Sequence, residues 1–331
     1  MSRDRQWIEM LQIVTGLFDY GEEIYTMLLR SLPEQTEMIV CPAHMGDTLL
    51  IASLAKEYKR QNELKGLIYV ATTLSEEILM LFPEINSVLM LDKDEMKSLR
   101  FYMLAKKLWH QNGIRYAHGR EWIYFDYPSI FTRGDMIEPR LSFKESRLHI
   151  MGLEKGSQFS MLRVPPFDRD HELKERYDKS VLIMPVSYST DLISNAFWEK
   201  LASRIKEHGY DVYTNYNGAQ GEEVIAGTMP FQSSYYEFAQ MTGVFDLFVG
   251  IRSGLCDLIS LTGNGKLVIL YDEKTVPGST IHIDEESIKE SNIYDLGRRE
   301  GITCYRYLSQ DEEKVIRSIC SHLPQKEFKR S

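Results

Sequence analysis

The sequence predicts an α/β protein in two halves, each a parallel sheet with helices on both faces. After Pro33, short apolar strands alternate with helices, the pattern typical of parallel sheets. The alternation stops in the segment 154–179, which holds Gly156, Pro165-Pro166 and a run of charges, and it restarts at Ser180. Two halves of similar size predict a ligand in the cleft between them, at the carboxyl ends of strands.

The first half begins with helical periodicity that is interrupted near Gly16 and Gly21, which predicts two helices within the first thirty residues. Apolar runs then predict strands at 38–41, 66–71, 87–91 and 122–126. Between them the periodicity predicts helices at 48–61, 75–82 and 94–111, the last with an Asp cap and an acidic first turn.

The second half follows the interdomain connection predicted at 154–179. Its apolar runs predict strands at 180–185, 210–214, 245–249 and 266–271. Helices are predicted at 195–208, 235–242, 253–261 and 311–322. The predicted domains are therefore 1–160 with an N-terminal helical extension, a linker at 161–179, 180–310, and a C-terminal helix and tail at 311–331.

Composition restricts the function classes. The 331 residues are 43% hydrophobic and 26% charged, as in globular proteins that remain in solution, and such a length suits two domains. No run reaches the ~18 apolar residues of a membrane helix, and the N-terminus lacks the apolar core of a signal peptide, so a cytoplasmic location is expected. A net charge of −9 argues against a broad nucleic-acid interface.

Four scattered cysteines form no Cys-x-x-Cys pair, and the eight histidines show no metal-ligand spacing. Buried thiols and metal-independent chemistry are therefore expected.

The strongest local motif is the strand-turn-helix junction at 249–257, Val-Gly-Ile-Arg-Ser-Gly-Leu-Cys-Asp. A turn of small residues that opens a helix exposes backbone N–H groups at the positive end of the helix dipole, where phosphates bind. An ordinary helix N-cap is the alternative interpretation.

A second junction, Cys41-Pro-Ala-His-Met-Gly-Asp-Thr-Leu-Leu50, lies in the first half. Gly46 permits a tight turn. Asp47 lies where the helix starts, so its carboxylate is predicted either to cap the helix or to act in the cleft as a general base.

These motifs resemble those of the family 9 glycosyltransferases, the heptosyltransferase-like enzymes. Gly46-Asp47 before an apolar helix, a strand that ends in Pro185, and Gly250-Ile-Arg-Ser-Gly254 before a helix occur in the family's order and spacing. The family motifs read Gly-Asp-x-Leu and roughly Asn-Asp-Ser-Gly-x-x-His. The resemblance spans about residues 37–272.

The resemblance implies a GT-B fold, in which two Rossmann-like domains face each other and the C-terminal one holds a nucleotide-sugar donor. Asp47 would be the general base for the acceptor hydroxyl, and Ser253 and Gly254 would hold the donor diphosphate without a metal ion or other cofactor. Glu237 matches a glutamate that bonds the donor ribose, with a solvent-facing helix carboxylate as the alternative. Thr228 and Met229 lie in a loop that corresponds to the nucleoside site.

The chain also departs from the family pattern. The stretch 185–195 lacks the family's basic residue, and Ser187 within it is assigned to the diphosphate site. Arg252 replaces an acidic residue, so it either contacts phosphate in place of the missing cation or forms an ion pair with Asp257 or Asp272. Asp257 replaces the family's histidine and is expected to cap or orient. These changes leave the donor open.

Residues assigned to acceptor or sugar contacts are His44, Gly46 and Asp126. Hydrogen-bonded structural histidine is the alternative for His44, and local packing is the alternative for the loop that contains Asp126. The basic tail at 326–330 is read as a solvated end, so membrane association is peripheral at most.

The predicted function is metal-independent, inverting sugar transfer from a nucleotide sugar to a saccharide or lipid-linked saccharide of a bacterial surface polysaccharide or glycoconjugate. Two alternatives stay open. One is a sugar-nucleotide epimerase or hydrolase on the same scaffold, and the other is a catalytically silent nucleotide-binding subunit.

Overall fold

The computed structural model describes residues 3–42, 44–72, 76–117, 143–165, 170–187, 193–218, 222–272, 302–307 and 311–324. The chain divides into two compact units, unit 1 (Met1–Arg140 and Glu145–Arg163) and unit 2 (Leu141–Lys144 and Val164–Ser331). Each unit is described by itself.

Unit 1 is built around a sheet in the order β3-β2-β1-β5-β4, parallel except for the antiparallel β4–β5 pair. Its elements are α1 (Arg3–Arg30), β1 (Thr36–Val40), α2 (Met45–Ser53), α3 (Ala55–Gln61), β2 (Gly66–Ala71), α4 (Glu76–Leu79), β3 (Ser87–Met90), α5 (Lys93–Ala105), β4 (His110–Gln111), β5 (Ile114–Tyr116) and α6 (Phe143–Met151), of which the part from Glu145 on belongs to this unit.

Helices cover both faces of this sheet. All six residues of β2 are buried, as expected for a strand between two layers. Ile68 and Val70 share a core cluster with residues of α1 and α5. Tyr69, which points to the opposite face, donates a 2.9 Å hydrogen bond to the carbonyl of Thr48 on α2. The predicted arrangement of helices on both faces is confirmed for unit 1.

The two predicted N-terminal helices are one continuous helix, α1, of 28 residues. Gly21 does not break it, because this glycine lies against α5. A Cβ added at Gly21 would lie 2.2 Å from the carbonyl oxygen of Ser98 and 2.6 Å from Cβ of Tyr102. The glycine is therefore explained by close packing of two helices rather than by a helix end.

The helix predicted at 94–111 also differs in the structure. Its N-cap is Asp92, whose carboxylate accepts bonds from the N–H groups of Asp94 and Glu95 in a capping box. The helix ends at Ala105, and residues 110–116 form the β4–β5 hairpin instead. Lys107, at φ 54°, turns the chain out of the helix. The strand predicted at 122–126 lies outside the described residues.

Unit 2 has a wholly parallel sheet in the order β11-β10-β9-β6-β7-β8, which matches the Rossmann order 3-2-1-4-5-6 read from its other edge. Its elements are α7 (Asp170–Arg176), β6 (Ser180–Met184), α8 (Asn195–Glu207), β7 (Asp211–Asn215), β8 (Met229–Phe231), α9 (Tyr235–Met241), β9 (Leu247–Ile251), α10 (Gly254–Thr262), β10 (Leu267–Asp272), β11 (Ile302–Tyr307) and α11 (Glu312–Cys320).

This sheet too is covered on both faces. Val181, Val249 and Val268 pack in one cluster with α8 and α11. On the other face Phe248 packs against Phe238 of α9, with 6.0 Å between ring centroids. Two strands were missed from the sequence, β8 and β11, and helix α7 forms within the segment interpreted as a connection.

Strand β8 is the last strand on its side of the sheet among the described residues. Its middle residue is Pro230, opposite Thr214 of β7. The carbonyl of Phe231 accepts a 2.9 Å bond from the N–H of Tyr216, so the polar backbone atoms of Phe231 point toward β7. Because backbone groups alternate sides along a strand, those of Pro230 point away from β7.

No helix within the described ranges is long and apolar enough to cross a membrane.

Candidate functional site

Each sheet has one place where the strand order reverses. In unit 1, β1 lies between β2 and β5, and in unit 2, β6 lies between β7 and β9. In open α/β sheets, ligands bind outside the carboxyl ends of strands at such a reversal. The two junctions predicted from the sequence lie at these reversals: 41–47 follows β1, and 250–254 contains the end of β9, which pairs with β6.

Asp47 is the third residue of α2 and does not occupy its N-cap. The N-cap is His44, which has an extended backbone (φ −67°, ψ 166°) and makes no side-chain cap bond. The carboxylate of Asp47 instead accepts a hydrogen bond from Arg147 through Oδ1 and keeps 33% of its side chain exposed. The structure therefore does not support the capping alternative for Asp47, and it leaves the carboxylate partly open at the end of β1.

Arg147 was missed in the sequence. It lies on α6, 100 residues away from Asp47 along the chain, and only 7% of its side chain is exposed. A buried guanidinium needs a partner, since desolvation of an unpaired charge costs several kcal/mol. In the sequence, Arg147 is only an arginine next to an apolar residue, Leu148, which the structure buries. That pattern does not identify a contact partner.

The other acceptor-side residues are placed unevenly. The exposed side chain of His44 precedes α2, and Gly46 is the second residue of that helix. Both therefore lie within three residues of Asp47 on the same turn. Asp126 and its loop lie outside the described residues.

In unit 2, Ser253 is the N-cap of α10 in an extended conformation, and its hydroxyl makes no cap bond. Its carbonyl accepts from the N–H groups of Cys256 at 3.0 Å and Asp257 at 3.4 Å. The N–H groups of Gly254 and Leu255 precede these first helical bonds, so they belong to the donors that a helix N-terminus offers to a ligand. A hydroxyl and two N–H groups at the positive end of a helix can bind an anion.

Arg252 forms an ion pair with Asp257, one of the two alternatives considered from the sequence. Nη1 of Arg252 lies 3.1 Å from Oδ2 of Asp257, and it also donates a 2.8 Å bond to the carbonyl of Ser253. Asp257 is completely buried, and 16% of the arginine side chain is exposed. The side chain of Asp272 lies outside the described residues.

This contact connects both departures from the family motif. Arg252 and Asp257 are the two positions that differ from the motif, and in this chain their side chains form a pair of opposite charge. The pair contributes little net charge to the turn, so a ligand phosphate would depend on the backbone N–H groups more than on Arg252.

Ser187 joins the two sides of the strand reversal in unit 2. It follows β6, is 6% exposed, and donates a 2.9 Å bond from Oγ to the carbonyl of Arg252 after β9. Its hydroxyl is therefore engaged with the turn that holds Ser253. The assignment of Ser187 to diphosphate binding stays a prediction, and in this structure the residue orders the loop.

Cys256 lies beneath this turn, fully buried, and its thiol contacts the carbonyl of Ile251 at 3.3 Å. Burial raises the pKa of the Cys256 thiol to about 11, so the neutral thiol is favoured at physiological pH. Cys41, Cys256 and Cys320 are buried thiols outside any disulfide, as expected, and the side chain of Cys304 lies outside the described residues.

The three residues assigned to the nucleoside, Glu237, Thr228 and Met229, do not all lie at the carboxyl ends of the strands. Glu237 stands in the first turn of α9, after the carboxyl end of β8, where its carboxylate closes a capping box by accepting a 2.8 Å bond from the N–H of Ser234. Thr228 precedes β8, and its hydroxyl donates to the carbonyl of Ile225 at 2.8 Å. Met229 is opposite Tyr213, in the middle of β7, with 40% of its surface exposed.

Glu237 therefore lies on the same edge of the sheet as Ser187 and Ser253, whereas Thr228 and Met229 lie below that edge. Glu237 is exposed, as the solvent-facing alternative predicts, and its carboxylate also caps the helix. Nucleoside contacts stay a prediction for all three.

Among the described side chains, no group of three or more His, Cys, Asp or Glu residues is placed to hold a metal ion. Metal independence stays a prediction.

No protein-family model matches the chain, and no curated protein matches it by sequence. Solved structures do resemble it. E. coli ADP-heptose LPS heptosyltransferase II has a TM-score of 0.56 at 12% identity, over 86% of this chain and 98% of that one. A family 9 glycosyl transferase from Veillonella parvula has a TM-score of 0.52 at 12% identity, and the match covers 89% of this chain and 91% of that one.

The iron-containing heptosyltransferase TibC, solved with ADP-D-β-D-heptose, has a TM-score of 0.46 at 15% identity. The match covers 71% of this chain and only 58% of the length of TibC. At these identities the similarity establishes the fold. The chain has the two-sheet α/β fold of the GT-B glycosyltransferases, which confirms at the level of fold the resemblance inferred from its motifs.

Proposed function

We propose that the protein is a glycosyltransferase that transfers a sugar from a nucleotide-sugar donor to a saccharide or lipid-linked saccharide acceptor, with inversion and without a metal ion. The observation that carries the proposal is the turn at Ser253 and Gly254, an anion seat at the strand reversal of a Rossmann sheet. The fold shared with heptosyltransferases supports sugar transfer over the other chemistries of Rossmann-like sheets.

In this mechanism unit 2 carries the donor. Backbone N–H groups at the start of α10 and the hydroxyl of Ser253 hold the diphosphate. The negative charge that develops on this leaving group is stabilised by the helix dipole and these donors. Glu237, on the same edge of the sheet, is the residue we assign to the ribose.

The acceptor reacts through Asp47. Its carboxylate takes the proton of the acceptor hydroxyl while that oxygen attacks the anomeric carbon, and the bond from that carbon to the donor phosphate oxygen breaks. The products are a glycoside of inverted configuration and a nucleoside diphosphate. The proton resides on Asp47 until solvent removes it.

The first experiment measures donor binding. ADP-heptose is tested beside UDP-, GDP- and CMP-sugars by thermal shift, with ADP-heptose first because a similar structure is an ADP-heptose transferase. At 100 times its Kd, a ligand stabilises the protein by about 2.7 kcal/mol, or about 5–11 °C for a unit of this size. If no nucleotide or nucleotide sugar changes the melting temperature, the donor site is refuted.

The second experiment separates the competing activities by their products. With a bound donor and a mixture of saccharide acceptors, a transferase releases nucleoside diphosphate only when acceptor is present. Free sugar or an epimerised donor in the absence of acceptor would indicate the hydrolase or epimerase, and binding without any product would indicate the silent subunit.

Asp47→Asn tests the base. We expect the transfer rate to fall by about 10²–10⁴-fold with the donor-induced thermal shift unchanged. Glu76→Gln is the matched control, because Glu76 is likewise an acid in the first turn of a helix that follows a strand of unit 1. Full activity of Asp47→Asn would remove Asp47 from the mechanism.

A further inference from the structure

The contact between Arg147 and Asp47 has a fixed support. The C-terminal part of α6 is anchored in unit 1 by Leu148, Ile150 and Met151, which are 2%, 0% and 0% exposed. The carbonyl of Ile150 accepts a 3.2 Å bond from Nη1 of Arg115, the middle residue of β5. Arg147 is thus held one residue before a well-packed segment.

Gln61, the last residue of α3, secures the end of the same segment. Its Nε2 donates a 2.8 Å bond to the carbonyl of Gly152, and its Oε1 accepts a 3.1 Å bond from the N–H of Glu154. Because α2 and α3 follow one another directly, α6 is tied to the helix pair that carries Asp47. The guanidinium and the carboxylate are therefore held by elements that are themselves connected.

The two partners differ in burial. The side chain of Arg147 is 7% exposed and that of Asp47 is 33% exposed. The arginine is thus on the protein side of the pair, and the carboxylate is on the solvent side. A ligand can therefore reach the carboxylate of Asp47, whereas the guanidinium of Arg147 is suited to orient that carboxylate rather than to bind the ligand itself.

We propose that Arg147 is a positioning residue for Asp47. By bonding Oδ1 it fixes the plane of the carboxylate, so that Oδ2 is the oxygen presented to the acceptor hydroxyl. Without this bond the short Asp side chain would turn toward backbone N–H groups at the start of its own helix, a local bond that Asp readily forms. The proposal rests on the proposed function, since it gives Arg147 a role only through the base.

The test compares four variants of the full chain: Arg147→Met, Arg147→Lys, Asp47→Asn and the double variant Asp47→Asn/Arg147→Met. We expect Arg147→Met to lower kcat by about 10–100-fold while KM for the nucleotide sugar stays within twofold, because the donor is bound by unit 2. Arg147→Lys, which keeps the charge, is expected to retain part of the lost rate. In the Asp47→Asn background, removal of Arg147 is expected to change kcat by less than twofold, because groups that act as a unit are not additive.

Arg60→Met is the control. It removes a guanidinium of unit 1 that is 60% exposed and paired with Glu57 at 3.0 Å, so it is expected to preserve kcat. The proposal is overturned if Arg147→Met keeps the wild-type kcat, if its effect multiplies with that of Asp47→Asn, or if Arg60→Met loses as much rate as Arg147→Met.

A crystal structure of Arg147→Met gives a result that does not depend on turnover. We expect the carboxylate of Asp47 to adopt a different rotamer, and an unchanged rotamer would overturn the proposal. Failure of the proposed function is distinguishable, because it would be seen in the wild-type protein as the absence of donor binding or of transfer.

Discussion

The buried pair of Arg252 and Asp257 gives the sharpest stability prediction. Asp257 has no exposed surface, and the nearby guanidinium offsets its charge at 3.1 Å. Replacement of Arg252 by Met keeps most of the side-chain volume and removes the positive charge. A buried carboxylate is then left without its counter-ion, which is the costly way to break such a pair.

The expected size follows from burial. Removal of one partner of a buried ion pair costs about 3–5 kcal/mol. In a unit of this size each kcal/mol lowers the melting temperature by about 2–4 °C, so the unfolding of unit 2 is expected to shift by about 6–20 °C. The double variant Arg252→Met/Asp257→Leu removes both charges and is expected to regain most of this loss.

Scanning calorimetry measures these shifts. Arg204→Met is the matched control, since its pair with Glu207 is as short, at 2.8 Å, but the two side chains are 46% and 58% exposed. An exposed pair contributes little, so we expect the control to shift by no more than about 2 °C. The reasoning is refuted if Arg252→Met resembles this control, or if the double variant is no more stable than Arg252→Met.

The remaining predictions concern packing and protonation. Gly21→Ala is expected to lower the melting temperature of unit 1, because the added Cβ would overlap the carbonyl of Ser98. Gly16→Ala is the control and is expected to be neutral or stabilising, because its Cβ would meet nothing within 4 Å. Equal effects of the two variants on the melting temperature would contradict the packing explanation. Burial, with the charge of a nearby aspartate, raises the pKa of Asp246, so its ionised form is disfavoured in the folded state. Asp246→Asn should therefore stabilise the protein at pH 7. This gain in stability should disappear below the ordinary carboxyl pKa of about 3.9, where Asp246 is protonated in the folded and the unfolded protein alike. Burial lowers the pKa of His322, so the neutral imidazole is favoured in the folded protein. The resulting stability is present above the ordinary histidine pKa of about 6.5 and is lost as the pH falls through the pKa of His322 in the folded protein. His322→Gln should therefore make stability, measured by unfolding between pH 7 and 5, depend less on pH.

Those parts of the fold that depend on local pattern were predictable from the sequence. Strand β2 was predicted at its observed bounds, since six consecutive residues that are buried on both faces read as one apolar run. Strand β8 was missed because it has only three residues and contains a proline. Strand β11 begins with Ile302 and Thr303, whose β-branched side chains were a usable signal.

The candidate site was predictable only in part. Asp47 and Ser253 are candidates from the sequence because each stands in a strand-turn-helix junction, a pattern confined to about ten residues, and their roles stay predictions. The pair of Arg252 and Asp257 was foreseen as an alternative, because the two lie five positions apart at the start of one helix. Arg147 could not be found, because the contact joins residues 100 apart and only the packing of α6 determines its partner.

The proline in β8 has a consequence for the behaviour of the protein at high concentration. A peptide or a second molecule that extends a sheet needs N–H donors along the outer side of the last strand. At Pro230 this side has a ring carbon where a donor would be, and the strand is only three residues long. Unit 2 therefore offers a poor template along β8, which protects a parallel sheet rich in valine and isoleucine from edge-to-edge association.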